Sequence, residues 1–127
     1  MPFEITREES PSPFVVVRMW ETVTAEEFDD MSDALMSSVH EWSRLMYDTS
    51  GLDDPTEALT LFFRSRWRKQ MPQHVRQAAV VGPTAAAVAR AWTRSAREGS
   101  AGAQAFPTRE AAVEWLLAEF QTTTGGS

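Results

Sequence analysis

The residue types that carry chemistry are few in this chain, and their spacing does little to assemble them. His40 and His74 are far apart, and neither has a second histidine at the spacing a helical metal site uses. There is no cysteine, which excludes disulfides, thiolate zinc sites and cysteine nucleophiles. Asp29, Asp30 and Asp33 read as the solvated face of a helix, and no serine stands in a nucleophile elbow. Asp48-Thr49-Ser50-Gly51 sets a carboxylate beside two hydroxyls, but the glycine reads it as a plain turn after a short strand. Gly82-Pro83-Thr84 joins a strand to a helix, where backbone amides can hold an anion, yet it lacks the further glycines of a phosphate-binding loop. The expectation is a chain with no catalytic residue, no metal and no cofactor; an enzyme of unknown reaction is the least supported reading.

The aromatic residues form the more informative pattern. Phe62, Phe63 and Trp67 lie on one helix and Trp92 on the next, and Arg64, Arg66, Arg68 and Lys69 are interleaved with or follow the first three. Adjacent helical positions are about 100° apart, so Leu59, Phe62, Phe63 and Trp67 make a broader apolar face than a surface helix needs. Core packing, with a basic end that suits the helix dipole, accounts for part of it. The remainder suits a hydrophobic pocket or a homodimer seam rimmed by Arg64 and Arg68. Phe63 and Trp67 share a face at spacing four, so at least one of them is expected to contact a cavity or a second subunit.

These residues depend on the elements that place them. Phe3 to Thr6 reads as a short strand, and Arg7-Glu8-Glu9-Ser10-Pro11-Ser12-Pro13 as a connection that extends neither strand nor helix. Phe14 to Trp20 is a strand with Val15, Val17 and Met19 on one face and Phe14, Val16, Arg18 and Trp20 on the other. Both faces are largely apolar, which predicts a strand covered on both sides. Thr24 and Glu27 form a capping box, behind which Phe28, Met31, Leu35 and Val39 recur at helical spacing. Asp54-Pro55 opens a second helix ahead of Pro72. The spacing predicts helices over about 25–39, 54–70, 84–97 and 108–120, and further strands at Arg44–Asp48, Arg76–Val81 and Ala103–Phe106, after a turn at 98–102. Val88 and Trp92 supply the bulk of an alanine-rich third helix; Ala112, Val113, Leu116, Leu117 and Phe120 form the stripe of the last. The order β-β-α-β-α-β-α-β-α predicts one α/β domain over residues 1–121, mostly parallel, with an antiparallel N-terminal strand. Residues 122–127 read as a polar tail that frays.

The 127 residues suffice for one domain with a real core, and 43% hydrophobic with 24% charged residues is globular composition. The net charge of −6 is uneven: residues 1–57 carry 14 acidic and 3 basic side chains, net −11, and residues 58–127 carry 4 and 9, net +5. Solvated helix faces explain most of this, and a partner surface or self-association between opposite faces is the other reading. An acidic chain argues against nucleic acid. No apolar run could cross a membrane, and Met1-Pro2-Phe3-Glu4 has no signal-peptide pattern, so a cytoplasmic location is the default expectation.

Several phrases, taken in order, resemble the STAS superfamily and particularly its SpoIIAA-like branch. Thr24-Ala25-Glu26-Glu27-Phe28 looks like the opening of that branch's first helix, and Arg44-Leu45-Met46-Tyr47-Asp48 like its next strand. Gln77-Ala78-Ala79-Val80-Val81-Gly82 is similar to its later strand. Phe106-Pro107-Thr108-Arg109-Glu110-Ala111-Ala112, with Trp115-Leu116, is similar to its closing helix. The resemblance spans about residues 3 to 120. It implies a SpoIIAA-like fold and a binding or partner-switching role. The expected function is a non-catalytic module that takes an apolar or amphipathic, lipid-like ligand, or a protein partner, through the second and third helices. The alternative is a partner switch like an anti-sigma-factor antagonist, in which a serine at the start of helix two is phosphorylated. Asp48-Thr49-Ser50-Gly51 is similar to that loop in composition but precedes the helix. The matching position is near Thr56, crowded by Asp53, Asp54 and Glu57, so neither Ser50 nor Thr56 is expected to act as a switch.

Overall fold

A computed structural model gives the architecture; it describes residues 3–9, 13–70, 72–82, 86–97 and 102–125, without the side chains of residues 66 and 118–125. The connection at 10–12, Pro83 and Thr84, the turn at 98–101 and the side chain of Phe120 lie outside what is described. The elements are β1 (Phe3–Glu8), β2 (Phe14–Glu21), α1 (Ala25–Ser38), β3 (Arg44–Leu52), α2 (Pro55–Arg64), α3 (Arg66–Gln70), β4 (Arg76–Val80), α4 (Ala86–Arg97), β5 (Gly102–Phe106) and α5 (Arg109–Gly125), with a short 3-10 turn at Val39–Glu41.

The five strands lie side by side in chain order. β1 pairs antiparallel with β2, with Ile5 opposite Val17, and β2 to β5 run parallel. This is a single α/β domain. The alternation along β2 divides the core. Val15, Val17 and Met19 pack with Phe28, Met31 and Leu35 of α1, Phe62 of α2, Trp67 of α3 and Trp92 of α4. Phe14 and Val16 pack on the other face with Met46, Ala78, Val80 and the α5 residues Ala112 and Leu116. Crossovers of one hand between successive neighbouring strands put α1 to α4 on one face, as the right-handed rule for such connections leads one to expect. Among the described residues, the helix that covers the other face is α5, which connects to no further strand.

Four boundaries differ from the sequence expectation by two residues or more. β1 continues to Glu8, so Arg7 and Glu8, expected in the connection, pair with β2 opposite Val15 and Phe14. β3 continues to Leu52, so Asp48 to Gly51 is strand and not a turn. Its register with β2 shifts between Arg18 and Trp20, where a side chain on Gly51 would stand 2.9 Å from the Trp20 Cβ. The missing side chain therefore lets two strands close, a role that turn statistics do not reveal. The helix expected over 54–70 is two helices broken at Ser65. α5 runs on to Gly125, since no residue from Gln121 to Thr124 is a helix breaker. Among the described residues, no helix is long and apolar enough to cross a membrane.

Candidate functional site

An apolar cleft opens between α2 and α4 over the C-terminal ends of β3 and β4, the end where parallel sheets place their ligands. Each element contributes to it by its own periodicity. The Asp54 side chain caps α2 by accepting from the Thr56 amide at 3.0 Å, with Pro55 in the first turn. That start sets Pro55, Ala58, Leu59 and Phe62 along one helical stripe facing the cleft. α4 adds Val88 and Trp92 at spacing four. Tyr47 and Thr49 of β3, and Ala79 and Val81 at β4, come from alternate strand positions, and Met19 and Phe28 close the base.

The floor is aromatic. Tyr47 meets Phe62 edge-on at 6.1 Å and Trp92 edge-on at 5.7 Å, and the Phe62 and Trp92 rings are 6.2 Å apart. Such tilted and edge contacts suit the ring quadrupoles and hold the floor rigid. The cavity volume is about 40 Å³. A single water needs roughly 10–15 Å³ by this kind of measure, so the cleft accepts a small apolar tip without moving.

Its polar atoms are committed elsewhere. The Tyr47 hydroxyl donates to Gln77 Oε1 and accepts from Trp67 Nε1, and burial pushes the phenol well above its ordinary pKa. The Thr49 hydroxyl donates to the Val80 carbonyl at 2.6 Å. What remains towards the cleft is carbon. The lining can shelter apolar surface; among the described residues that form it, none is a carboxylate, histidine or lysine.

Of the aromatic residues expected from sequence to form a site, Phe62 and Trp92 meet in the cleft floor. Phe63 is 38% exposed and packs against Phe62 at 6.3 Å without lining the cleft. Trp67 is fully buried, its ring 5.9 Å from Trp42. Phe63 and Trp67 therefore do not share one helical face, and the cause is Ser65. Its backbone is extended, its hydroxyl donates to the Phe62 carbonyl at 2.7 Å, and Ser65 Oγ itself accepts from the Arg68 amide at 3.1 Å. One serine ends α2 and caps α3, turning Trp67 into the core. Arg64 is exposed at the end of α2. Arg68 reaches Ser95 through Nε and Nη2, at 3.1 and 3.0 Å, and ties α3 to α4.

Sequence reasoning did not assign Met19, Phe28, Tyr47, Thr49, Pro55, Ala58, Ala79, Val81 or Val88 to the site. The available signal was positional: alternate residues at the C-terminal ends of neighbouring parallel strands, opposite a capped helix. His74 Nε2 lies 3.2 Å from the Trp42 carbonyl and His40 is exposed. Among the described residues, no group of three or more His, Cys, Asp or Glu side chains could hold a metal ion.

Comparison with known proteins places the fold. The SpoIIAA-like family model matches residues 14–117. No curated protein matches the chain. A crystal structure of an uncharacterised protein from Shewanella loihica PV-4, described as having a SpoIIAA-like fold, superposes with a TM-score of 0.58 at 20% identity, covering 90% of this chain and 93% of that one. With the family model matched from the first residue of β2 well into α5, the chain belongs to the SpoIIAA-like family.

Proposed function

We propose that the protein is a non-catalytic binding module whose α2–α4 cleft receives the apolar part of an amphipathic ligand or, in a second use of the same cleft, an apolar side chain of a protein partner. The observation that carries this reading is the lining itself: carbon on six elements, with both of its hydroxyls engaged inside the protein. Ala58 and Ala79 are small where a larger residue would fill the space. The rim residues Pro55, Leu59 and Val88 are half-buried, so contact with an apolar group would withdraw further apolar surface from water.

A phosphorylation-driven partner switch has less support. Ser50 lies inside β3, and its hydroxyl donates to the Asp48 carboxylate at 2.6 Å. Thr56 sits in the first turn of α2 beside Asp54 and Glu57, where a phosphate would meet like charge.

Titration with short straight-chain alcohols from methanol to butanol, whose chains match a cleft of about 40 Å³, tests the proposal. Affinity should rise roughly three- to fourfold per methylene, as burial of about 0.8 kcal/mol per CH₂ requires. Ala58→Trp, which fills the mouth from an already half-buried position, should abolish uptake while leaving the thermal melt close to wild type. Binding that ignores chain length, or that survives Ala58→Trp unchanged, would overturn it.

A further inference from the structure

The uneven charge of the chain becomes two matched stripes on opposite flanks of the helical layer. On α1 the buried residues are Phe28, Met31, Ser32 and Leu35. Glu26, Asp29, Asp30 and Asp33 follow the same spacing two positions earlier, about 200° around the helix, and all four are exposed. On α4 the exposed residues Arg90, Arg94 and Arg97 recur at spacings of four and three. They line an open groove of about 540 Å³ between α4 and the outer edge of β5. Among the described residues, no carboxylate pairs with Arg90 or Arg94. Arg97 Nε donates to the Ala103 carbonyl at 3.2 Å, which covers a backbone acceptor on this edge strand and disfavours addition of another strand there.

The two stripes do not meet within one molecule. α2 and α3 lie between them, with α1 packed on α2 and α3, and α4 on α2. Their spacings correspond: 26, 30 and 33 match 90, 94 and 97 for helices running the same way, and 26, 29 and 33 match 97, 94 and 90 for helices running opposite ways.

We infer that the α4–β5 groove is a docking surface for α1 of a second copy of this chain, joined head to tail. The occupant follows from charge complementarity: the carboxylate stripe that fits the groove is carried by the same chain, on the flank the groove leaves free. Because the two surfaces differ, the contact is heterologous and each added copy exposes a fresh groove. Exposed pairs contribute little individually, so the association is weak and salt-sensitive. This surface is separate from the α2–α4 cleft.

Sedimentation velocity over a concentration series tests it. In about 20 mM salt the wild type should sediment faster as concentration rises, and in about 500 mM salt the association should weaken at least tenfold, since screening shortens the reach of the charges. Arg90→Gln/Arg94→Gln and Asp29→Asn/Asp30→Asn, each checked for folding by circular dichroism, should be monomers when alone. Each retains the surface that the other has lost, so their equimolar mixture should form a complex that stops at two chains. A wild type that is monomeric at every concentration, variants that associate as well as wild type, or a mixture that fails to pair would each overturn the inference. So would a monomeric wild type whose groove binds a polyglutamate peptide, which would assign the surface to a different acidic partner.

Discussion

The indole N–H of Trp67 donates to the hydroxyl of Tyr47, which in turn donates to Gln77 Oε1, linking α3, β3 and β4 through a chain of bonds closed to solvent. This chain lies directly under the aromatic floor of the cleft, because the Tyr47 ring is part of that floor. It fixes the Tyr47 ring without presenting its hydroxyl to a ligand.

Ionising Tyr47 would put a charge in the core, and burial raises its pKa strongly. The unfolded chain releases this proton near pH 10, whereas the folded chain retains it. The stabilisation is therefore complete below about pH 10 and declines as pH rises above it, by about 1.4 kcal/mol per pH unit. Tyr47 is the sole tyrosine, so the phenolate absorbance band reports on it alone. The native protein should show no phenolate through the range in which free tyrosine titrates, and the band should appear with unfolding. A native phenolate signal near pH 10 would contradict the buried network.

Phe63 and Trp67 should separate in their effects on stability. Trp67→Ala empties a fully buried site and should cost about 3–5 kcal/mol in equilibrium denaturation. Phe63→Ala removes a ring that is 38% exposed and should cost about 1 kcal/mol, well below the full transfer value for phenylalanine. Similar losses for the two would mean that the helix does not break where it is described.

Ser65→Ala tests the break itself. The hydroxyl is buried, donates to the Phe62 carbonyl and accepts from the Arg68 amide. Removing it should cost about 1–2 kcal/mol, the range for losing a helix cap with a buried partner left unsatisfied. A gain in stability would mean that a continuous helix over 54–70 is the preferred form.

What the sequence determined by itself is local. The Thr24 and Glu27 capping box forms as expected, with the Glu27 amide donating to Thr24 Oγ1 at 3.2 Å, because all its atoms lie within one turn. The two-sided character of β2 was legible because alternation along a strand maps directly onto the two faces of a sheet. The Asp54-Pro55 start of α2 was legible for the same local reason. Tertiary structure decided what depended on distant partners. β3 outruns its expected end because Trp20 of β2 closes on Gly51, a contact between strands that local propensity does not contain. Ser65 reads as an ordinary helix residue until Trp67 finds Trp42 and Tyr47 in the core. The broad apolar face that sequence assigned to one helix is divided by this turn, so Phe62 joins Trp92 in the cleft, Trp67 enters the core and Phe63 stays at the surface. Periodicity records which side of an element is apolar; it carries no record of which other element arrives to cover it, and that arrival separates cleft from core.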